Sequence, residues 1–297
     1  MVITLCEVRA GVRAYLPPVV SVVVPAHNEG RVIGRLLGQL VPAGQPAELD
    51  VIVVANGCTD DTAEVAASFG PSVRVLSIPV PSKREALLAG DRAARDFPRL
   101  YVDADVELRA ADVRALAAAL RRPGALAAGP DRVLALNGSP WLVRWYYDVW
   151  TRLPEVRSGL FGRGVIALSE DGHARIASLP PLLADDLAAS LVFGPDERVV
   201  VAAARVIIHP PRTAGDLLRR RVRATMGVTQ VEQAEGAPGS TARTRPADLL
   251  AIIGRSPRMA LRVGIFMAVA VLARLRARRA VRQRGYSTWL RDESSRR

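Results

Sequence analysis

Residues 19–25 read VVSVVVP, and this stretch decides the fold. Five valines in seven residues make a β-branched run of strand length, the kind buried on both faces of a parallel sheet. Residues 31–40 then carry apolar side chains at helical spacing (Val32, Ile33, Leu36, Leu37, Leu40). The pair repeats: 51–55 and 73–78 are strand-like, 60–69 and 84–96 helical, and 100–102 a short strand. Such alternation predicts an α/β domain on a doubly wound, mostly parallel, Rossmann-like sheet, with ligand groups at the carboxyl ends of its strands. Polar clusters fall at those ends: His27-Asn28-Glu29, then Asn56 to Asp61, then Asp103 and Asp105.

Composition limits the alternatives. With 297 residues, 49% apolar and 24% charged, the chain can bury a large core and is not a disordered segment. Two cysteines, Cys6 and Cys58, and three histidines exclude a disulfide framework and a Cys-rich zinc module. Glu7 and Arg9 interrupt what would be the apolar part of a secretion signal, so a cytoplasmic location is expected. The net charge is +12, but Lys83 is the single lysine among 41 basic residues, a bias that weakens the meaning of any one arginine. Residues 255–297 hold twelve arginines against Asp292 and Glu293, which accounts for most of the excess. The body is nearly neutral, and no nucleic-acid groove is expected across it.

Beyond about residue 135 the pattern changes. WLVRWYYDVW (141–150) holds five of the chain's 14 aromatics, and Trp141 and Trp145 would share a helix face. Core packing and sugar stacking both suit such a stretch. Residues 159–164 are glycine-rich, 185–193 and 214–233 helical, and 199–208 strand-like. The expected division is a domain at 1–234, a linker at 235–246 and a basic helical C-terminal extension at 247–297.

Asp103-Ala104-Asp105 after a short strand is the strongest local signal. Two carboxylates two residues apart can approach one hard divalent cation and leave room for water and phosphate oxygens. Together, SVVVPAHNEG (21–30), VIVVANGCTDDT (51–62), SKREALLAG (82–90) and YVDAD (101–105) resemble, in order and spacing, the motifs of family 2 glycosyltransferases of the GT-A fold. The resemblance continues weakly to about residue 230. It implies an inverting transfer of one sugar from a nucleotide-diphosphate donor, expected to be UDP-linked, with Mg²⁺ or Mn²⁺.

Carried over by position, the resemblance puts Pro25, His27 and Glu29 in the nucleotide pocket, with Glu29 accepting from a ribose hydroxyl. Asn56 stands where an aspartate usually reads the base; its carbonyl can still accept from a uracil imide. Asp60 would hold the same loop or, alternatively, cap the next helix. Lys83 would reach the diphosphate or sugar, Asp103 the ribose or donor sugar, and Asp105 the metal, with Asp103 beside it.

Further along, Gly162-Arg163-Gly164 matches a glycine turn that shapes the acceptor side, or is a plain hairpin turn. Asp185-Asp186 falls where the family carries Glu-Asp, so Asp186 is the expected base, with Asp185 in place of the glutamate; two acids opening a short helix is the other account. RRVRA (220–224) aligns with the QxxRW stretch but keeps only its arginine, Arg223, a diphosphate contact or part of a solvated face. The lost tryptophan argues for single-sugar transfer. His209 is a metal or phosphate candidate, or a structural histidine.

VGIFMAVAVLA (263–273) is 11 apolar residues between Arg262 and Arg274; as a helix it spans roughly 16 Å, half of a bilayer core, too short to cross. It either lies on the anionic inner face of the cell membrane or packs on the domain or on a second subunit, a homodimer. The acceptor is open: a glycan, a lipid or a small molecule. Two rivals remain. A sugar nucleotidyltransferase shares this architecture but opens with a Gly- and Arg-rich phosphate loop, where Pro25–Glu29 stands. A non-catalytic, Arg-rich adaptor on a degenerate scaffold would bind through 255–297 without a nucleotide.

Overall fold

The computed structural model describes residues 19–43, 48–178, 192–233 and 244–284, with backbone alone at 229–233 and 281–284. Seven strands form one sheet: β1 (Val20–Ala26), β2 (Leu49–Asn56), β3 (Val73–Ile78), β4 (Arg99–Val102), β5 (Ala127–Leu134), β6 (Val165–Leu168) and β7 (Arg198–Ile208). Their spatial order is β3-β2-β1-β4-β6-β5-β7. All pairings are parallel except those of β6, which runs antiparallel to both β4 and β5. The expected mostly parallel sheet is therefore present, with one reversed strand that the sequence pattern left unseen.

Ten helices thread the described residues: α1 (Gly30–Leu40), α2 (Thr62–Ala67), α3 (Lys83–Ala93), α4 (Ala110–Ala119), α5 (Trp141–Trp150), α6 (Pro154–Ser158), α7 (Glu170–Ala177), α8 (Ala214–Gln233), α9 (Pro246–Arg255) and α10 (Ala260–Arg284). The valine run of β1 is buried on both faces because helices cover both. Val22 and Val24 pack with Ile33 and Leu37 of α1 and Val113 and Leu116 of α4. Val23, pointing the other way, packs with Ala86 of α3. Helices on both faces force consecutive side chains of the strand to be apolar, which is why the run does not alternate.

A second apolar cluster holds the C-terminal half. Tyr146 and Trp150 of α5, Leu217 of α8, Ile252 of α9 and Val263, Phe266 and Val269 of α10 form it. Tyr146 and Phe266 stack with centroids 5.0 Å apart, and Val222 and Met226 of α8 meet Ala273 and Ala277 of α10. The C-terminal helix thus packs on the domain through one face. Helix α9 begins at Pro246, the last residue of the expected linker, whose positions 235–243 lie outside the described residues.

Candidate active site

Parallel pairing brings the predicted polar clusters to one edge of the sheet. Ala26 of β1 stands opposite Ala55 of β2, so the loops 27–29 and 57–61 leave the sheet side by side. On the other flank Val23 pairs with Tyr101 of β4, and two residues further along these strands lie Pro25 and Asp103. Strand order, rather than any local signal, makes these segments neighbours.

The β1–α1 and β2–α2 loops are laced together. Asn28 adopts a left-handed conformation (φ 52°), tolerable for Asn because its short side chain bonds locally. Its Oδ1 accepts from the Thr59 N–H at 2.8 Å. His27 Nδ1 donates to the Asn56 carbonyl at 2.6 Å, and the Glu29 N–H donates to Thr62 Oγ1 at 2.8 Å. Asp60 accepts from the Gly30 N–H at 3.1 Å and from the Thr62 hydroxyl and N–H. Burial alone would raise the Asp60 carboxyl, but these hydrogen bonds from Thr62 and Gly30 hold it below its ordinary value. Asp60, one residue before the N-cap Asp61, thus accepts from the first N–H of α2 and clasps the two loops together.

Asn56 is buried at the end of β2, and its Nδ2 donates to the Ala26 carbonyl at 2.7 Å. Its Oδ1 is buried without a hydrogen-bond partner among the described residues. An acceptor left bare costs about 1–3 kcal/mol, so it marks a place where a donor group is wanted.

Lys83, the first residue of α3, extends to the end of β4, where its Nζ stands 2.7 Å from Asp103 Oδ1. The Asp103 N–H donates to the Gly164 carbonyl at 2.8 Å, so the predicted glycine turn does abut the acid pair. Gly162 and Gly164 both have positive φ (64° and 65°), and a Cβ on Gly164 would lie 2.6 Å from Val106 and 3.3 Å from Asp103 Oδ2. Burial would raise the Asp103 carboxyl; Lys83, with Arg223 and Arg220 of α8 adding their positive fields, brings it below its ordinary value. Arg223 therefore sits near Asp103 although some 120 residues separate them. Arg220 joins it, unforeseen as a site residue; its position one helical turn before Arg223 was the available signal.

Asp105 is partly exposed, and its backbone carbonyl accepts from Arg35 of α1 at 3.4 Å. His209 follows directly on the last residue of β7. Its Nε2 is 2.7 Å from Glu107 Oε1, and Glu107 also accepts from Gln39 at 2.9 Å and pairs with Arg35 at 3.4 Å. Through Glu107, His209 links the end of β7 to Gln39 and Arg35 of α1; a carboxylate on one ring nitrogen is also the arrangement that orients a metal-binding histidine. Arg163, in the middle of the glycine turn, is fully buried, and donates to the carbonyls of Gly159, Pro130 and Arg157 at 3.0, 2.6 and 2.9 Å. Asp185 and Asp186 lie outside the described residues.

No group of three or more His, Cys, Asp or Glu side chains suited to a metal occurs among the described residues. Asp103 and Asp105 supply hard oxygen donors without a closed cage, the donor set that suits Mg²⁺ or Mn²⁺ shared with phosphate oxygens.

Residues 21–164 match the family described as Glycosyl transferase family 2. They form a family 2 glycosyltransferase domain. The domain is 38% identical over 125 residues to an uncharacterised glycosyltransferase of Mycobacterium tuberculosis, covering 42% of this chain and 54% of that protein. The chain thus spans about half the length of the curated relatives it matches. A 4,4'-diaponeurosporenoate glycosyltransferase of Staphylococcus aureus is 43% identical over 53 residues, 18% of this chain and 14% of that protein. Among solved structures, a mannosyltransferase from Pyrobaculum calidifontis in complex with GDP-Man and Mn²⁺ superposes with TM-score 0.57 at 18% identity, covering 94% of this chain and 85% of that one. Glucosyl-3-phosphoglycerate synthase from M. tuberculosis, with Mn²⁺, UDP and glucosyl-3-phosphoglycerate, gives 0.53 at 22% identity over 75% and 83%. The fold of the glycosyltransferase domain is accordingly GT-A.

Proposed function

We propose that this chain transfers a single sugar from a nucleoside-diphosphate sugar, UDP-linked, to an acceptor hydroxyl or lipid phosphate, with inversion and in the presence of Mg²⁺ or Mn²⁺. The observation that carries the proposal is the Lys83–Asp103 contact at 2.7 Å with Arg220 and Arg223 drawn toward it. Lys83, Arg220 and Arg223 converge on the end of β4, and such cations suit a diphosphate. The bare Oδ1 of Asn56 supports a base with an imide N–H, and the 27–29 segment would line the nucleoside.

In the proposed step the acceptor oxygen attacks the anomeric carbon, its proton passes to Asp186 with Asp185 beside it, and the bond to the diphosphate oxygen breaks with the electron pair leaving on the diphosphate. Lys83, Arg220 and Arg223 stabilise that developing charge. A divalent ion held by Asp105 and Asp103 would supply further charge neutralisation at the same oxygens. His209, oriented by Glu107, would be a further contact to that ion or to phosphate.

Calorimetry with UDP and with GDP, each with and without Mn²⁺, tests the donor class. Metal-dependent binding of one of them is expected, and UDP over GDP if Asn56 reads the base. Asp105→Ala should lose the metal-dependent part, whereas Asp186→Asn should keep binding and lose roughly 10²–10⁴-fold in turnover. Absence of nucleotide binding, with salt-sensitive binding mapping to 255–297, would replace this proposal with the adaptor.

A further inference from the structure

Helix α10 has two apolar faces, and among the described residues one of them packs on the domain. Val263, Phe266, Val269, Ala273 and Ala277 face α5 and α8 and are buried. Leu261, Val271, Leu272 and Leu275 point away, 64%, 45%, 48% and 47% exposed, with Gly264 and Ala268 open between them. Positions 261, 264, 268, 271 and 275 recur every three or four residues, so they make one continuous outward stripe. It runs about 21 Å along the helix.

The charge around this stripe is of one sign. Arg276, Arg278 and Arg279 are exposed where the stripe ends, and Arg258 is exposed just before it begins. The helix Ala260–Arg284 contains no acidic residue. None of these four arginines has an ion-pair partner among the described residues. Arg262, at the near end, is different: it pairs with Asp148 and lies over the Trp145 ring at 5.5 Å. Trp145 in turn packs edge-on against Trp141, which is 59% exposed. An exposed tryptophan thus stands beside the start of the stripe.

We propose that the outward face of α10 docks on an anionic lipid surface, the apolar stripe entering the headgroup boundary and the arginines meeting lipid phosphates. An apolar stripe with exposed arginines at both of its ends matches the two components of such a surface. A second copy of the chain matches it less well. Antiparallel association would set Arg258 of one copy against Arg278 and Arg279 of the other, and parallel association would stack the arginines on each other. No described helix is long and apolar enough to cross a membrane, so the contact is peripheral. Helix α8, which carries Arg220 and Arg223, packs on the opposite side of α10 through Val222 and Met226. Docking would therefore hold the transfer site one helix layer, about 10 Å, behind the lipid surface, within reach of an acceptor presented there.

Flotation of the full chain with vesicles of phosphatidylcholine alone, or with one third phosphatidylglycerol, tests this. Binding to the phosphatidylglycerol vesicles at least tenfold above phosphatidylcholine, weakened by molar salt, is expected. The variant Leu261→Ser/Val271→Ser/Leu275→Ser and the variant Arg276→Ser/Arg278→Ser/Arg279→Ser should each lose at least tenfold. Both alter outward side chains, so unchanged circular dichroism and nucleotide binding separate lost docking from lost folding or a wrong donor assignment. Equal binding to both vesicles, or variants that float like the parent chain, would overturn the proposal. A dimer in sedimentation that the apolar variant dissociates, with no flotation, would assign the face to a second copy instead.

Discussion

Lys83 Nζ and Asp103 Oδ1, 2.7 Å apart, join the first turn of α3 to the end of β4 across the carboxyl edge of the sheet. The contact is partly solvated, with side-chain exposures of 36% and 33%, so its contribution to stability is below ~1 kcal/mol. Its larger effect is on charge, because it keeps Asp103 ionised. Lys83→Met should raise the Asp103 pKa and weaken nucleotide binding while leaving the melting temperature nearly unchanged. A carboxyl lowered by folding stabilises the native state above its unfolded value and loses that contribution as pH falls through the folded one. The acid limb of stability should therefore begin at higher pH in the variant, readable by carboxylate NMR titration and by unfolding at several pH values.

Gly164 and Gly70 separate backbone strain from crowding. Both have positive φ, 65° and 67°, but a Cβ at Gly70 meets nothing within 4 Å. Gly70→Ala should cost about 1–2 kcal/mol through strain alone and leave nucleotide binding intact. Gly164→Ala adds the contact with Val106 and presses on Asp103, so a further ~1–3 kcal/mol and impaired binding are expected. Denaturant unfolding and calorimetry on the two variants check the difference.

Asp60 offers a second acid-dependent measurement. Its pKa is lowered, so its clasp is fully present above the ordinary carboxylate value and disappears as pH falls through the lowered one. Asp60→Ala should cost ~1 kcal/mol near neutral pH, through loss of its hydrogen bonds from Gly30 and Thr62. The gap between variant and parent should close in acid, where the parent's carboxylate is also neutralised.

Arg163 is a structural cation. Its guanidinium meets three backbone carbonyls, and burial lowers its pKa to about 10, leaving it charged at neutral pH. Arg163→Ala should cost roughly 3–5 kcal/mol by stranding those carbonyls. Arg163→Lys should not rescue it, since a single ammonium cannot span the three oxygens of the fork. Thermal unfolding of both variants gives the comparison.

Much of the site was readable before the fold. The strand-end clusters His27–Glu29, Asn56–Asp61 and Asp103–Asp105 follow from alternation plus the rule that parallel strands present their carboxyl ends together. Lys83 was visible as the lone lysine. The Glu107 partner of His209 was not readable, because nothing near His209 in the chain announces a carboxylate 102 residues earlier. Arg163 looked like the incidental middle of a glycine turn, and its burial depends on carbonyls from two segments, Pro130 in β5 and Arg157 and Gly159 at the end of α6.

Strand and helix periods are local properties of the chain, so the amino-acid sequence by itself determined the βα alternation, the two-faced burial of β1 and the helical character of 214–233 and 246–279. Which groups meet was decided only in three dimensions. The reversed strand β6 inserts between β4 and β5, and α8 returns Arg220 and Arg223 to Asp103. The apolar run 263–273 is split into an inward face and an outward one by what packs beside it. Each of these outcomes is set by contacts between segments far apart in the chain, whose free energy no local pattern contains.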